Sequence, residues 1–544
     1  MTNSLSRRSF LLWAGATGAG IAATTAGIWR WQEMAASVAY PGRAEGHYLR
    51  DHHALPAPTE TIETEVVILG SGVAGITAGW KLNRQGFKDF LMIEGPELYG
   101  NTAGGHFGDL AYPTGAHYLP VPSTDSFHVR EILADLGVLL RNPHAERPYY
   151  DERYLLHAPE ERLLYNGRWQ ENILPTEGVP ADELAEHGRF FAEIARLRQL
   201  HDASGKRIFT IPSMLSSPDP EWLELDKVTF KDWLTHNGYR SPTLHWYLNY
   251  CCRDDFGTRF DQVSAWAGLH YFCSRFGMAE NAESGAWLTW PGGLSPLTTA
   301  MASGLPRRAG TAYKLRTTDT GVEALCFVLV DGVATTYRVK AKRAICAMPL
   351  FVAAHVVDSM QDLGFDPALH MPAYAPWLVA NFLMKDFPQE RQTGPQDPPL
   401  SWDNVVYQEP GLGYVDSTHQ DIRRTPPPKT VFTSYVALSG QKPEQARRWM
   451  DSASAEELLA LASVDLKTAY GWKFASCVER VDITLRGHAM AAPLPGFRSN
   501  AGAKALRELD GPILFAHSDL SGFSVFEEAA WWGYRAAQLI LTKS

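Results

Sequence analysis

The chain is poor in the features that mark several common enzyme classes. Its 544 residues hold six cysteines, none in a C-x-x-C pair. Most sit among apolar neighbours, so Cys251, Cys252, Cys273, Cys326, Cys346 and Cys477 are expected as buried free thiols and not as a disulfide framework. Zinc-ligand spacing, a Walker lysine and a Ser/His/Asp order are all missing, which leaves a metal site, a nucleotide triphosphatase and a triad hydrolase without support. Positive charge is scarce as well. The formal net charge is -10 and there is no long basic run, so nucleic acid is excluded as a partner, because phosphate binding calls for a basic surface. Disorder is excluded by an apolar fraction of 45%, and the length allows two or three domains around sizeable cores.

What is present centres on Val66 to Glu94, VVILGSGVAGITAGWKLNRQGFKDFLMIE. The apolar run Val66 to Leu69 reads as a strand buried on both faces of a parallel sheet. Gly70, Gly72 and Gly75 follow with G-x-G-x-x-G spacing at the start of a helical run. The first glycine permits the turn, the second lets backbone approach a pyrophosphate, and the third lets the helix pack on the strand. Amides at the helix start then face phosphate charge. A second strand, Phe90 to Ile93, ends in Glu94, whose carboxylate is placed for ribose hydroxyls and argues against a phosphorylated ribose. Strand, glycines, helix, strand and acid together indicate a dinucleotide site.

The N-terminus reads SRRSFLL and then an apolar stretch rich in glycine and alanine up to Trp29. With Arg7 and Arg8 paired ahead of Phe10 and Leu11, it resembles a twin-arginine export signal. That implies a periplasmic protein translocated already folded, with its cofactor aboard. The stretch is also just long enough to span a bilayer, so an uncleaved signal would act as a membrane tether. Cleavage after Ala39 suits Ser37 and Val38. Residues 40–64 are expected as an extended linker, with His52 and His53 solvated.

Beyond Glu94, GPELYGNTAGGHFGDLAYPTGAHYLPVP resembles the FAD-dependent amine oxidase and phytoene desaturase superfamily. In that family a glycine-rich turn follows the ribose-binding acid; here the turn is either Gly100 with Asn101 or Gly104 with Gly105. The family's arginine beside this turn is missing, with Leu98 and Thr102 at the nearest positions. Gly115, Ala116 and His117 resemble the segment near the flavin ring. Gly292 and Gly293 precede a helical run, after which comes a hairpin turning at Asp331 and Gly332 and a buried strand from Ala344 to Ala347. Together these resemble the β-meander that returns the chain to the cofactor domain. The tail GPILFAHSDLSGFSVFEEAAWWGYRAAQLIL is similar to the family's closing motif, an acidic turn followed by a helix, in which Ser518 or Asp519 fills the acidic position. Gly533, Ala536 and Ala537 match that helix's small-residue face.

The resemblance implies an α/β protein: a Rossmann-like, glutathione-reductase-like FAD-binding domain (65–125, 290–350 and 505–544) interleaved with a discontinuous α+β substrate domain (126–289 and 351–504). The cofactor is FAD, and Gly70, Gly72, Gly75, Glu94, Gly104, Gly105, Ser518, Asp519 and Phe526 are the candidate cofactor residues. A small-molecule substrate then occupies the cleft between domains. His488, in RGHAMAAPLPGF, and His117 are the candidate catalytic residues. Trp246, Tyr247, Tyr250, Trp266 and Tyr271, with Phe523, Phe526, Trp531 and Trp532, are core or cleft wall. Arg253, Asp254 and Asp255 either bind a cationic substrate or form a structural ion-pair network.

One family feature is absent. The lysine that holds water near flavin N5 would fall at Val379 or Ala380, beside Asn381, unless Lys385 bends inward. The expected activity is oxidation of a small amine or polyamine by hydride transfer to flavin N5, with oxygen or a quinone as electron acceptor. A carotenoid-like desaturase or isomerase, or a flavin-bearing binding protein without turnover, are the alternatives.

Overall fold

A computed structural model describes residues 35–51, 54–390, 397–407, 410–425 and 427–543. The twin-arginine segment and His52 and His53 lie outside the described residues. Along the chain, the elements that position the site are β1 (Ala35–Ala39), β2 (Thr61–Leu69), α1 (Val73–Arg84), β3 (Phe90–Ile93), β4 (Tyr118–Pro120), β5 (Glu161–Tyr165), α2 (Pro242–Phe256) and α3 (Ala265–Ser274). The second half adds β6 (Val333–Cys346), β7 (Ala373–Met384), β8 (Asp403–Val406), β9 (Thr430–Ala437), β10 (Val478–Ala492), β11 (Ile513–Phe515) and α4 (Phe526–Leu541).

The first sheet has β2 between β3 and β6, all parallel, with β11 on the far side of β6. Val66 to Leu69 are each no more than 1% exposed, as a strand covered by helices on both faces requires. Strand β6 serves three partners. Its first part closes an antiparallel meander with 321–330, and its end joins β2 and β11 in parallel register, Ile345 opposite both Ile68 and Leu514. Helix α4 lies against α1, and a Cβ on Gly533 would stand 2.0 Å from the Ala74 carbonyl oxygen. The small face of the closing helix is therefore a helix-packing requirement.

The second sheet runs β1, β10, β7, β9, 414–416, β8, β5, 168–171. Strand β7 sorts its side chains by alternation. Trp377 and Val379 pack toward α2 and α3, while Leu378, Ala380 and Phe382 pack toward helices between 443 and 477. Being buried on both faces, this strand reads as almost continuously apolar.

Three features depart from the expected organisation. The first core continues past residue 125 to take in Val129, Ile132, Leu133 and Tyr150, and past 350 to Phe365. The stretch expected as linker contains a helix, Arg43–Arg50, and the first residues of β2. Ala35–Ala39, just ahead of the suggested cleavage point, is an edge strand paired in parallel with β10 from Ala35 opposite Arg480 to Ala39 opposite Thr484. All six cysteines are buried and unpaired.

Candidate cofactor and substrate site

The three glycines of the first turn play separate parts. Gly70 has φ +112°, and a Cβ there would lie 2.8 Å from the Ala347 carbonyl oxygen; one on Gly75 would lie 2.0 Å from the Gly70 oxygen. Both positions exclude any side chain. A Cβ on Gly72 would meet nothing within 4 Å, so the middle glycine faces open space. Helix α1 starts there with no side-chain cap and no acid in its first turn. Free helix amides facing an open groove form an anion cradle. Glu94, at the end of β3, is 3.5 Å from Arg307, and the Ser71 hydroxyl donates to the Glu94 backbone oxygen at 2.5 Å.

The alternative turns are resolved by contact. Gly100 lies over the cradle, its Cβ position 3.6 Å from Gly72 Cα, whereas Gly104 and Gly105 belong to a short hairpin where side chains would strike Tyr112 and Ser295. At the opposite end, buried Asp519 accepts from the Leu350 amide at 2.9 Å and the Tyr374 hydroxyl at 2.6 Å. Burial alone would raise its pKa, but nearby His517 and these hydrogen bonds hold the carboxyl below its ordinary value. Its Oδ1 lies 3.1 Å from His517 Nδ1. The open cradle, with Gly100 over it and Glu94 at the end of β3, fits FAD.

Where this groove meets the second sheet there is a cavity walled by His117, Tyr118, Asp254, Arg275, Tyr435 and Glu527 among others. His117 stacks on Tyr435 at 4.5 Å between ring centroids and lies 5.4 Å from Trp402. The Tyr435 hydroxyl donates to the Gly115 oxygen at 3.2 Å, so the stack is pinned to the segment beside it. Desolvation with no charged partner pushes the His117 pKa down to about 3, which keeps the ring neutral.

Carboxylates dominate the polar wall. Asp255 is ion-paired with Arg275. Asp254 accepts from Tyr118 at 3.3 Å, and burial, reinforced by Asp255 and opposed by Arg275, pushes its pKa up to about 7. Glu527 is raised to about 7 by burial as well. Farther in, Asp403 on β8 is the register partner of Glu161 on β5. Burial and the charges of Asp254 and Glu161 hold Asp403 well above the usual carboxylate range; burial takes Glu161 to about 7. Among the described residues neither Asp403 nor Glu161 has a cationic partner. Tyr247 and Tyr250 stand beside them.

The expected residues divide accordingly. His117, Asp254, Asp255 and Phe526 reach the cavity wall. His488 is exposed and stacks on Phe351 at 4.5 Å, outside that wall. Trp266 and Trp532 are core, and Arg253 donates to backbone oxygens of Pro410 and Gly411. Val379 is core beneath Tyr435, and Lys385 is exposed; no lysine is among the residues lining the cavity. Sequence reasoning missed Tyr118, Glu161, Arg275, Asp403 and Tyr435, each from a different segment and none with local spacing that betrays it.

A family model described as an NAD(P)-binding Rossmann-like domain matches residues 68–136. Over 172 residues the chain is 28% identical to monomeric sarcosine oxidase of Arthrobacter sp. (strain TE1826), covering 27% of this chain. The chain spans 42% of that relative's length. Among solved structures it is similar to wild-type putrescine oxidase bound to putrescine (TM-score 0.62, 19% identity, 89% of this chain and 100% of that one). Cyclohexylamine oxidase from Brevibacterium oxydans IH-35A gives 0.59 at 16% identity, over 88% and 99%. A CLA-producing fatty acid isomerase from P. acnes gives 0.57 at 15%, over 87% and 98%. With a Rossmann-like segment and a groove that fits FAD, the chain shares the fold of putrescine oxidase and cyclohexylamine oxidase.

Proposed function

We propose that the protein is an FAD-dependent oxidoreductase that oxidises a small amine or polyamine. The observation that carries this reading is the acidic chamber, by which we mean Asp254 on the cavity wall together with the cross-strand pair Asp403 and Glu161, whose charges act on one another. Like charges opposite one another on neighbouring strands destabilise a sheet, and desolvated carboxylates with no cation beside them are costly. A substrate ammonium seated there relieves both costs and returns the acids to their charged form.

Bound FAD supplies the electron sink, accepting a hydride equivalent at N5. The chain's own residues do the rest. The chamber holds a distal ammonium and so fixes how far the reacting carbon reaches. His117, uncharged and set in an aromatic box with Tyr435, Tyr118 and Trp402, accepts a hydrogen bond from the amine N–H at a ring nitrogen. The aromatic walls exclude water from the reacting bond.

We place the enzyme in the periplasm through the twin-arginine route, with the N-terminal segment as a membrane tether and oxygen or a quinone as acceptor. Among the described residues no helix is long and apolar enough to cross a membrane. Anaerobic addition of primary and secondary amines, diamines included, is expected to bleach the flavin absorbance. If every amine leaves the spectrum oxidised, amine oxidation is abandoned. A second reading, desaturation or isomerisation of an unsaturated chain, is favoured by the lack of a cavity lysine, and bleaching by a polyene in place of amines selects it.

A further inference from the structure

The turn over the phosphate cradle is held in place from the other domain. Residues 95–100 include three positive φ angles, Gly95 at +79°, Tyr99 at +72° and Gly100 at +55°. For Tyr99 this is a costly conformation that its surroundings must impose. Reaching this turn from the second sheet is Arg486 on β10, whose register partner is Trp377 of β7. Its Nη1 donates to Glu97 Oε2 at 2.6 Å and its Nη2 to Glu97 Oε1 at 2.8 Å. Nε donates to the Thr114 carbonyl at 3.2 Å, and Nη2 is also 3.4 Å from the Gly100 oxygen. A second tie, from Asn101 Nδ2 to the Ala489 oxygen at 2.6 Å, holds the end of the same turn to the same strand. The ion pair is nearly closed to solvent, with side chains 9% and 21% exposed.

This strand also borders the cavity, through Arg486, Ala489 and Met490. Arg486 thus touches the cover of the dinucleotide groove at one end and the substrate cavity at the other. It brings a guanidinium to the turn where Leu98 and Thr102 supply none, from 389 residues away. We infer that Arg486 is a positioning residue that, through Glu97, closes the turn over the dinucleotide and couples cofactor occupancy to the strand lining the substrate cavity. The inference rests on reading the groove as an FAD site. A planar, bidentate pair is needed for this geometry, so lysine is a partial substitute only.

The test compares wild type, Arg486→Met, Arg486→Lys and Glu97→Gln, each stripped of flavin and titrated with FAD, with melting temperature recorded with and without FAD. Arg486→Met and Glu97→Gln are expected to weaken FAD binding at least tenfold and to shrink the FAD-induced rise in melting temperature. Arg486→Lys falls between them and wild type. Unchanged FAD affinity in both charge-removing variants, or equal loss of melting temperature with and without FAD, assigns the pair to the scaffold and overturns the inference. Should Arg486→Met fail to fold, Arg486→Lys and Glu97→Gln decide. A wild-type protein that takes up no FAD at all sinks the cofactor reading itself, a distinct result.

Discussion

The dinucleotide groove and the acidic chamber adjoin, yet they are made by opposite means. The groove takes its floor from one continuous stretch, Val66 to Glu94, and offers backbone to its ligand: bare helix amides and glycines whose missing side chains leave room. The chamber is made of side chains alone, from β4, β5, α2, β8 and β9, far apart in the chain. In the groove each polar feature has a local steric reason. In the chamber Asp403 and Glu161 face each other with no cation beside them among the described residues, which is the feature the proposed ammonium substrate accounts for. A site that pays for buried charge in the free state is one that selects its occupant by charge.

Breaking the groove should have the largest effect. Gly75→Ala places a Cβ 2.0 Å from the Gly70 oxygen, and a loss of about 4 kcal/mol or outright failure to fold is expected. Gly72→Ala meets no protein atom, so the stripped protein should melt as wild type does while FAD affinity falls about tenfold. Equal melting temperatures for the two stripped variants would refute this division of labour.

Next comes the edge that the chamber's sheet depends on. A chain starting at Tyr40 loses β1 and its ladder with β10; at roughly 1 kcal/mol per net hydrogen bond this amounts to about 3 kcal/mol. Urea denaturation of chains starting at Ala35 and at Tyr40 measures it. Coincident curves would make cleavage after Ala39 harmless.

A smaller effect sharpens the chamber. Asp254 and Glu161 have model-compound pKa values of 3.8 and 4.5 and are held near 7 in the fold. Between these values the unfolded chain binds fewer protons than the folded one, so ligand-free stability falls as pH rises from about 4 to about 7. Cation binding runs the other way, and diamine affinity should strengthen several-fold from pH 6 to pH 8. Asp403→Asn, by removing one charge, should flatten both trends in thermal melts and diamine titrations; steeper trends would contradict the chamber's role. The smallest effect expected is none. Lys385→Met should leave the rate of flavin reduction within twofold of wild type, because the side chain is exposed just past the end of β7 and is not among the residues lining the cavity, and stopped-flow absorbance checks it.

Legibility followed the same division. Gly70, Gly72, Gly75 and Glu94 could be placed from spacing because a turn, a close approach and a strand end are local demands. The buried thiols and the meander leading into β6 were legible for the same reason, apolar pattern and turn residues being adjacent. The choice between Gly100 and Gly104 was not, since it depends on which backbone lies over Gly72. His488 and His117 looked alike as isolated histidines in apolar stretches, and only packing put one against Tyr435 in the cavity and the other against Phe351 outside it.

The sequence by itself determined the first sheet, the phosphate turn and the closing helix, because short-range sterics and apolar alternation leave few conformations for those segments. The tertiary structure alone decided that Arg486 meets Glu97, that Asp403 faces Glu161 and that β1 joins β10. Those pairings hang on strand register and domain packing, which are fixed by the sum of many distant contacts and leave no mark in any one stretch of the chain.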